Sequence, residues 1–213
     1  MSMIEYVIES NPDDRVLNRA SQIVRDGGLV SLPTETNWVI CASPFSDKGL
    51  DKLYQIRNVD RHKHFTLLCN SFKKAMEIAF IEDSAYSVMK KIVPGPYTFI
   101  FEPQKKISKY LKASKMDHEV GVRFSPSVLL RKWLENFDDV LICTHLNHQM
   151  LGEEDESLPI YGALIEDSFS NSIDLILDPG EYNFLGQTTV VDWTSGAPEV
   201  IREGVGSTKI FQR

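Results

Sequence analysis

The sequence predicts an α/β protein with an open, twisted sheet of mixed strand directions, flanked by helices. Short apolar runs, typical of buried strands, alternate along the 213 residues with segments whose apolar side chains recur at helical spacing. Neither a tandem repeat nor a low-complexity linker interrupts this alternation. We therefore expect residues 1–213 to form a single domain.

Each predicted strand is a short apolar or alternating run bounded by glycine, proline or polar residues. The clearest lies between the Gly27-Gly28 pair and Pro33. The predicted strands are residues 4–8, 29–32, 37–42, 65–69, 97–101, 119–124, 140–144, 173–177, 188–193 and 199–202.

Helices are predicted where apolar residues share one face behind a capping residue. Asp13 or Asp14 caps the first helix, and Gly27-Gly28 ends it near Asp26. Pro94-Gly95-Pro96 forces a turn after the fourth helix, because proline cannot continue one. The later helices are predicted at residues 46–57, 71–79, 84–93, 125–136 and 161–169, and residues 148–159 are expected to be an irregular acidic loop.

The composition excludes several classes of protein. A formal charge of −7 disfavours a general nucleic-acid binder, which needs a basic surplus. No apolar run is long enough to span a membrane, and the N-terminus does not resemble a signal peptide. The three cysteines are widely spaced, which favours buried thiols over disulfides or a zinc site. We expect a cytoplasmic protein without a dedicated metal site.

Two motifs place polar groups at the ends of apolar strands. Pro33-Thr34-Glu35-Thr36 offers hydroxyls and a carboxylate where a ligand could bind, although the motif taken alone favours an ordinary polar turn. Arg123 lies within an apolar strand, where a charged group needs a partner. That partner is either an internal carboxylate or an anionic ligand.

Three further segments carry candidate binding groups. The basic run at residues 57–64 suits an anionic ligand as well as it suits solvated surface charge. Cys143 and His145 share one strand face, but no third catalytic group accompanies them, so cysteine catalysis is disfavoured. At the end of the chain, a threonine pair at residues 188–189 opens one strand and Arg202 closes the next.

Taken in order, these segments resemble the YrdC/YciO family, and the likeness covers nearly the whole chain. The tail from Val200 to Gly206 looks especially like the YciO branch. The matching segments are Gly27 to Thr36, Arg57 to Val59, Pro94 to Thr98, Gly121 to Ser125, Cys143 to Asn147, Thr188 to Asp192 and Arg202 to Gly204.

The resemblance implies a YrdC-like fold with a concave basic cleft, and an activity like that of threonylcarbamoyl-AMP synthases. Those nucleotidyltransferases use ATP, bicarbonate and L-threonine, release pyrophosphate and supply a tRNA modification. A threonine-like amino acid is therefore the expected second substrate, and Mg²⁺ is expected to be carried by the ATP phosphates. The chemistry depends on placing anions together and neutralising their charge.

The resemblance also assigns residues to each substrate. It places the amino acid at Thr36, Arg123, His145 and Thr188. It places the nucleotide and its phosphates at Arg57, Lys63, Asn147 and Arg202.

Several positions depart from the family pattern, mostly on the amino-acid side. Val59 replaces a basic residue, Leu68 replaces a histidine found in several synthases, and His145 replaces a serine. Trp38-Val39-Ile40 replaces a Tyr-Gly-Leu segment. These changes predict a retained nucleotide site with altered amino-acid selection.

The resemblance leaves one alternative function open. Members of the family are often described as binding double-stranded RNA or tRNA, so a YciO-type RNA-binding protein without synthase activity is the second hypothesis. The basic run at residues 57–64 would contact phosphates in that case.

Overall fold

The computed structural model describes residues 3–57, 65–108, 119–155 and 157–211. The strands are β1 (Met3–Tyr6), β2 (Val30–Pro33), β3 (Trp38–Ala42), β4 (Thr66–Leu68), β5 (Tyr97–Phe101), β6 (Val120–Arg123), β7 (Leu141–His145), β8 (Leu175–Asp178), β9 (Thr189–Asp192) and β10 (Glu199–Arg202). The helices are α1 (Asp14–Arg25), α2 (Asp47–Ile56), α3 (Phe72–Ile78), α4 (Asp83–Met89), α5 (Lys105–Ser108), α6 (Val128–Phe137) and α7 (Gly162–Phe169). Short 3-10 helices occur at His148–Leu151 and Lys209–Phe211.

All ten described strands form one open sheet, which confirms the predicted fold class. The order across the sheet is β1-β8-β2-β3-β7-β4-β6-β5-β9-β10. The sheet is mixed: it contains parallel pairs, such as β4–β6 and β5–β9, and antiparallel pairs, such as β2–β3 and β3–β7. Strands far apart in sequence are therefore neighbours, which brings distant polar motifs together.

A separate apolar cluster covers each side of the sheet. One cluster joins Leu17 and Val24 of α1 to Leu129 and Trp133 of α6. Burial of these side chains is the main force holding the two helices to the sheet. The larger cluster lies among the remaining helices and includes Leu53, Phe99 and Ile165.

The element boundaries differ from the sequence prediction in a few places. Strand β1 begins earlier than predicted and ends at Tyr6, because Met3–Tyr6 pairs in register with Leu175 to Asp178 of β8. Helix α4 ends at Met89, before the predicted residue 93, and turns follow it toward Pro94. Helix α5 was not predicted, and the expected irregular loop at residues 148–159 contains the His148–Leu151 turn of 3-10 helix.

No helix in the described parts of the chain is long and apolar enough to cross a membrane.

Candidate functional site

The turn from Thr34 to Asn37 connects the antiparallel strands β2 and β3. The Thr34 amide and hydroxyl both donate to the Asn37 carbonyl oxygen, at 2.8 Å each. Asn37 Nδ2 donates in turn to the Leu146 carbonyl oxygen at 2.7 Å, which ties the turn to the residue after β7. The motif is thus a tight hairpin turn, and its side chains are nevertheless buried and directed inward.

Arg123, the last residue of β6, reaches this turn. Its side chain is completely buried, and its Nη2 atom donates to Glu35 Oε1 at 2.6 Å, Thr36 Oγ1 at 2.7 Å and Thr34 Oγ1 at 3.2 Å. An internal carboxylate is therefore one partner of the buried arginine. The first of the two alternatives predicted for its charge is confirmed.

The remaining donors of Arg123 point to a second partner. Its Nε and Nη1 atoms are buried and have no hydrogen-bond partner among the described residues. Buried guanidinium nitrogens are costly to leave unpaired, so such atoms in a polar pocket indicate a ligand. Glu35 itself is fully engaged, because the Ser125 hydroxyl donates to its other oxygen, Oε2. The carboxylate therefore holds Arg123 in place and neutralises only part of the local positive charge.

Arg202 and Thr188 form a second polar group at the other end of the sheet. Arg202 donates from Nε and Nη2 to the Thr188 carbonyl oxygen at 3.1 and 2.9 Å, and from Nη2 to the Thr188 hydroxyl at 2.8 Å. The Thr188 hydroxyl also lies 3.1 Å from the Thr98 hydroxyl. These bonds fix the plane of a guanidinium whose residue is otherwise exposed.

Gly121 forms part of the sheet surface between these groups. It pairs with Thr66 on one side and Ile100 on the other. A Cβ atom at this position would lie 3.3 Å from Thr66 Oγ1 and 3.4 Å from Thr98 Cγ2. Because Gly121 has no side chain, nothing projects from the sheet face at this position.

His145 is the last residue of β7, and the charges of three arginines act on its imidazole. The pKa of its imidazole is lowered to about 3, mainly by burial and then by the positive charges of Arg123, Arg202 and Arg57. Burial, followed by the charge of Arg123, also lowers the pKa of Arg202. The three guanidinium groups therefore belong to one electrostatic neighbourhood, and the histidine among them is neutral.

The other predicted nucleotide-binding residues have different surroundings. Arg57 is 8% exposed, and its guanidinium carbon lies 4.5 Å from the centre of the Phe65 ring. Asn147 is exposed, and its Oδ1 atom accepts from the Met150 amide at 2.8 Å, so only its amide nitrogen remains to donate. Lys63 and Val59 lie outside the described residues.

The cysteines are placed as buried side chains of the sheet. Cys41 and Cys143 face each other across β3 and β7, and burial raises the pKa of the Cys143 thiol to about 12. A thiol with so high a pKa is not a nucleophile near neutral pH. Across residues 3–57, 65–108, 119–155 and 157–211, no group of three His, Cys, Asp or Glu side chains could hold a metal ion.

The structure adds residues that the sequence analysis did not assign to a site. The sequence places Thr98 in a predicted strand without a role in binding, but its hydroxyl lies 3.1 Å from the Thr188 hydroxyl. Ser125 orients Glu35, and the Leu185 amide donates to the Glu35 carbonyl oxygen at 2.8 Å. The polar residue within an apolar strand was a usable signal for Thr98, whereas the contact through Leu185 depends on a distant loop.

Comparison with known proteins places the chain among related sequences. The family model Sua5_yciO_yrdC, described as "Telomere recombination", matches residues 22–204. The uncharacterized protein YciO of Escherichia coli K12 is 32% identical over 214 aligned positions, which cover 99% of this chain and 100% of that protein. A threonylcarbamoyl-AMP synthase of Psychromonas ingrahamii is 27% identical over 135 positions, covering 62% of this chain and 69% of the synthase.

Solved structures show the same fold. The crystal structure of E. coli YciO matches with a TM-score of 0.85 and 28% identity, over 99% of this chain and 100% of that one. The crystal structure of P. abyssi Sua5 complexed with L-threonine matches with a TM-score of 0.81 and 22% identity, over 95% of this chain and 58% of that one.

Proposed function

Because the chain belongs to the Sua5/YciO/YrdC family, we propose that it is a nucleotidyltransferase that transfers the AMP group of ATP to the carbamate of a small amino acid. In this reaction bicarbonate and the amino group condense to a carbamate with loss of water. A carbamate oxygen then attacks the α-phosphorus of ATP, and pyrophosphate leaves. With L-threonine the product is threonylcarbamoyl-AMP, a precursor for tRNA modification.

The observation that carries the proposal is the state of Arg123. Its guanidinium is completely buried, one nitrogen is held by Glu35 and two threonine hydroxyls, and the other two nitrogens have no partner within the described residues. The charges of Arg57 and Arg202 act on the same imidazole of His145 as the charge of Arg123 does. Guanidinium groups grouped in this way suit anions such as carboxylate, carbamate and phosphate.

We assign the amino acid to the side of the cleft near the hairpin turn. The free donors of Arg123 would hold its carboxylate, with Thr36 and Thr188 supplying hydroxyls and His145 lying beside it. These groups lie on four separate strands or turns, so the substrate is fixed in orientation before it reacts. Holding two reactants in this way is a large part of catalysis for a reaction without a covalent enzyme intermediate.

We assign the phosphates of ATP to Arg57, Arg202 and the amide nitrogen of Asn147, with Lys63 as a further contact. Arg202 suits this role because its bonds to Thr188 leave Nη1 available. Mg²⁺ would enter as part of the substrate, carried by the phosphates. Its charge and that of the arginines would stabilise the negative charge that develops as pyrophosphate leaves.

We further propose that residues 1–213 act as one domain, because the ten described strands all belong to a single sheet. The alternative function, binding of double-stranded RNA or tRNA, has less support. It relies on the basic run at residues 57–64, of which only Arg57 is described, and that arginine is mostly buried.

Product analysis by mass spectrometry tests the proposed function. The protein is incubated with ATP, magnesium, bicarbonate and L-threonine, and threonylcarbamoyl-AMP should form together with an equal amount of pyrophosphate. The matched control is Arg131→Ala, which removes an arginine of helix α6 outside the cleft and should leave the yield unchanged. If the protein bound ATP but formed no product, the proposed nucleotide site would stand and the assignment of L-threonine as the second substrate would be rejected. Failure to bind ATP, together with tRNA binding that weakens steeply with salt, would favour the alternative.

A further inference from the structure

The polar side chains of the cleft are unevenly divided between donors and acceptors. The three arginines can only donate hydrogen bonds. The side-chain acceptors that the described residues place against Arg123 and Arg202 already receive hydrogen bonds: Glu35 accepts from Arg123 and Ser125, Thr36 accepts from Arg123, and the Thr188 hydroxyl accepts from Arg202. A ligand that carries only oxygen acceptors is well served by such a site, but an N–H group on the ligand is not.

His145 is the side chain that can correct this imbalance. It ends β7 opposite Val39, and the next residue, Leu146, is hydrogen-bonded to Trp38 and to Asn37 of the hairpin turn that holds Arg123. Within the described structure its ring nitrogens make no hydrogen bond to protein. A neutral imidazole carries one N–H donor and one unprotonated nitrogen that accepts. With a pKa of about 3, this ring accepts a hydrogen bond near neutral pH without taking up the proton.

We propose that His145 accepts a hydrogen bond from an N–H group of the second substrate and thereby selects an anion that carries nitrogen, an amino acid or its carbamate, over acids that lack it. This inference depends on the proposed function for its amino-acid site. It adds a specificity-determining residue and a reason for its chemistry: among three guanidinium groups, only an uncharged acceptor can face a ligand N–H without also being held by an arginine.

A pair of ligands that differ in one group tests the inference. L-threonine and (R)-3-hydroxybutyrate share a carboxylate and a hydroxyl, and the second has hydrogen in place of the amino group. Binding of both is measured by calorimetry with protein saturated by a non-hydrolysable ATP analogue, magnesium and bicarbonate. We expect the native protein to prefer L-threonine.

Two variants separate the acceptor from the size of the side chain. His145→Leu keeps much of the volume but has no acceptor, and it should reduce the preference for L-threonine by about tenfold, the value of one hydrogen bond of about 1.4 kcal/mol. His145→Gln retains an acceptor oxygen and should restore most of the preference. Neither variant should change the affinity for (R)-3-hydroxybutyrate, and circular dichroism confirms that each is folded.

Several outcomes would overturn the inference. If His145→Leu left the ratio of the affinities for L-threonine and (R)-3-hydroxybutyrate unchanged, the imidazole would not contact the N–H group. If the variant bound L-threonine more tightly than the native protein, the size of the imidazole would oppose binding instead of its acceptor favouring it. A native protein that binds neither acid would remove the substrate class. Titration with the ATP analogue alone tests the proposed nucleotide site separately, so the two failures are distinguishable.

Discussion

Arg123 and Glu35 form a buried ion pair between residues 88 positions apart in the chain, with Nη2 2.6 Å from Oε1. The pair joins the end of β6 to the hairpin turn between β2 and β3. It therefore has a structural role in addition to the binding role proposed for the other nitrogens of the arginine. The two roles predict different effects of substitution.

Replacing Arg123 with methionine should destabilise the protein by about 3–5 kcal/mol, because Glu35 would then be a buried charge without its partner. The double variant Arg123→Met/Glu35→Gln should recover much of that loss, since no unpaired charge remains. Both variants should lose binding of the acidic substrate. Urea unfolding and ligand titration measure the two properties. A single variant as stable as the native protein would show that the pair contributes nothing to the fold.

Thr188→Val should weaken binding of the substrates more than it weakens the fold. It removes the hydroxyl that lies between Arg202 and Thr98, and the loss of a net hydrogen bond costs about 1 kcal/mol of stability. Arg202 would keep only its bonds to the carbonyl oxygen, so its guanidinium would be less well oriented. Thr194→Val is a matched control, because its hydroxyl bonds to Asp192 at 2.7 Å in a turn beyond β9. Equal losses of affinity in both variants would contradict the assignment.

The stability of the protein should fall as the pH is lowered through the range in which an ordinary histidine is protonated. The pKa of His145 is lowered to about 3 in the fold, whereas an unfolded histidine titrates near 6.5, so the unfolded chain binds the proton first. His145 should have no effect on the free energy of unfolding above pH 7 and should lower it by about 2 kcal/mol at pH 5. Thermal or urea unfolding should show that His145→Gln loses less stability between pH 7 and pH 5 than the native protein does. Parallel curves for the two proteins would reject the buried neutral state.

Gly204→Ala should impair the site although it removes no polar group. A Cβ atom at Gly204 would overlap the backbone of Gln187 and Thr188 and force apart the segments that position Arg202. We expect a loss of stability of about 1–3 kcal/mol, as for other overpacked positions, with weaker nucleotide binding. Gly49→Ala is the control, because a Cβ there lies at an ordinary 3.5 Å from its neighbours within α2. Nucleotide binding unchanged by Gly204→Ala would show that Arg202 does not depend on this contact.

Cys143→Ala should retain activity. The thiol is buried, and its pKa of about 12 leaves almost no thiolate at neutral pH. Iodoacetamide should label Cys143 in the native protein only after denaturant is added, as peptide mass spectrometry would show. Complete loss of product formation in a folded Cys143→Ala variant would revive the cysteine mechanism that the sequence disfavoured.

The sequence could predict the elements of the fold because each depends on local properties. The buried strands β2 and β3 are short apolar runs, and the helix caps at Asp13 and Ser46 follow ordinary side-chain preferences. The order of strands in the sheet could not be predicted in this way. Placing β7 between β3 and β4 depends on packing among parts of the chain far apart in sequence.

The candidate site also has features that the sequence alone indicates and others that depend on the folded sheet. Arg123 was identifiable because a charge in an apolar strand requires a partner, but the choice of Glu35 as that partner depends on the curvature and pairing of the whole sheet. The contact of Thr98 with Thr188 follows from the parallel pairing of β5 and β9, which no motif encodes. The lowered pKa of His145 likewise depends on burial in the folded sheet and on arginines from three separate segments.

The pairing of β1 with β8 has a consequence for the synthesis of the protein. Met3–Tyr6 is synthesised long before its hydrogen-bonding partner, Leu175–Asp178. Thr188 and Arg202, which belong to the proposed binding site, are made later still. Contacts between segments so far apart in sequence form slowly, and the strands made first stay exposed until their partners have been synthesised. The proposed binding site should therefore assemble only after β9 and β10 have been made, and a nascent chain without these two strands would display an unprotected sheet edge to chaperones.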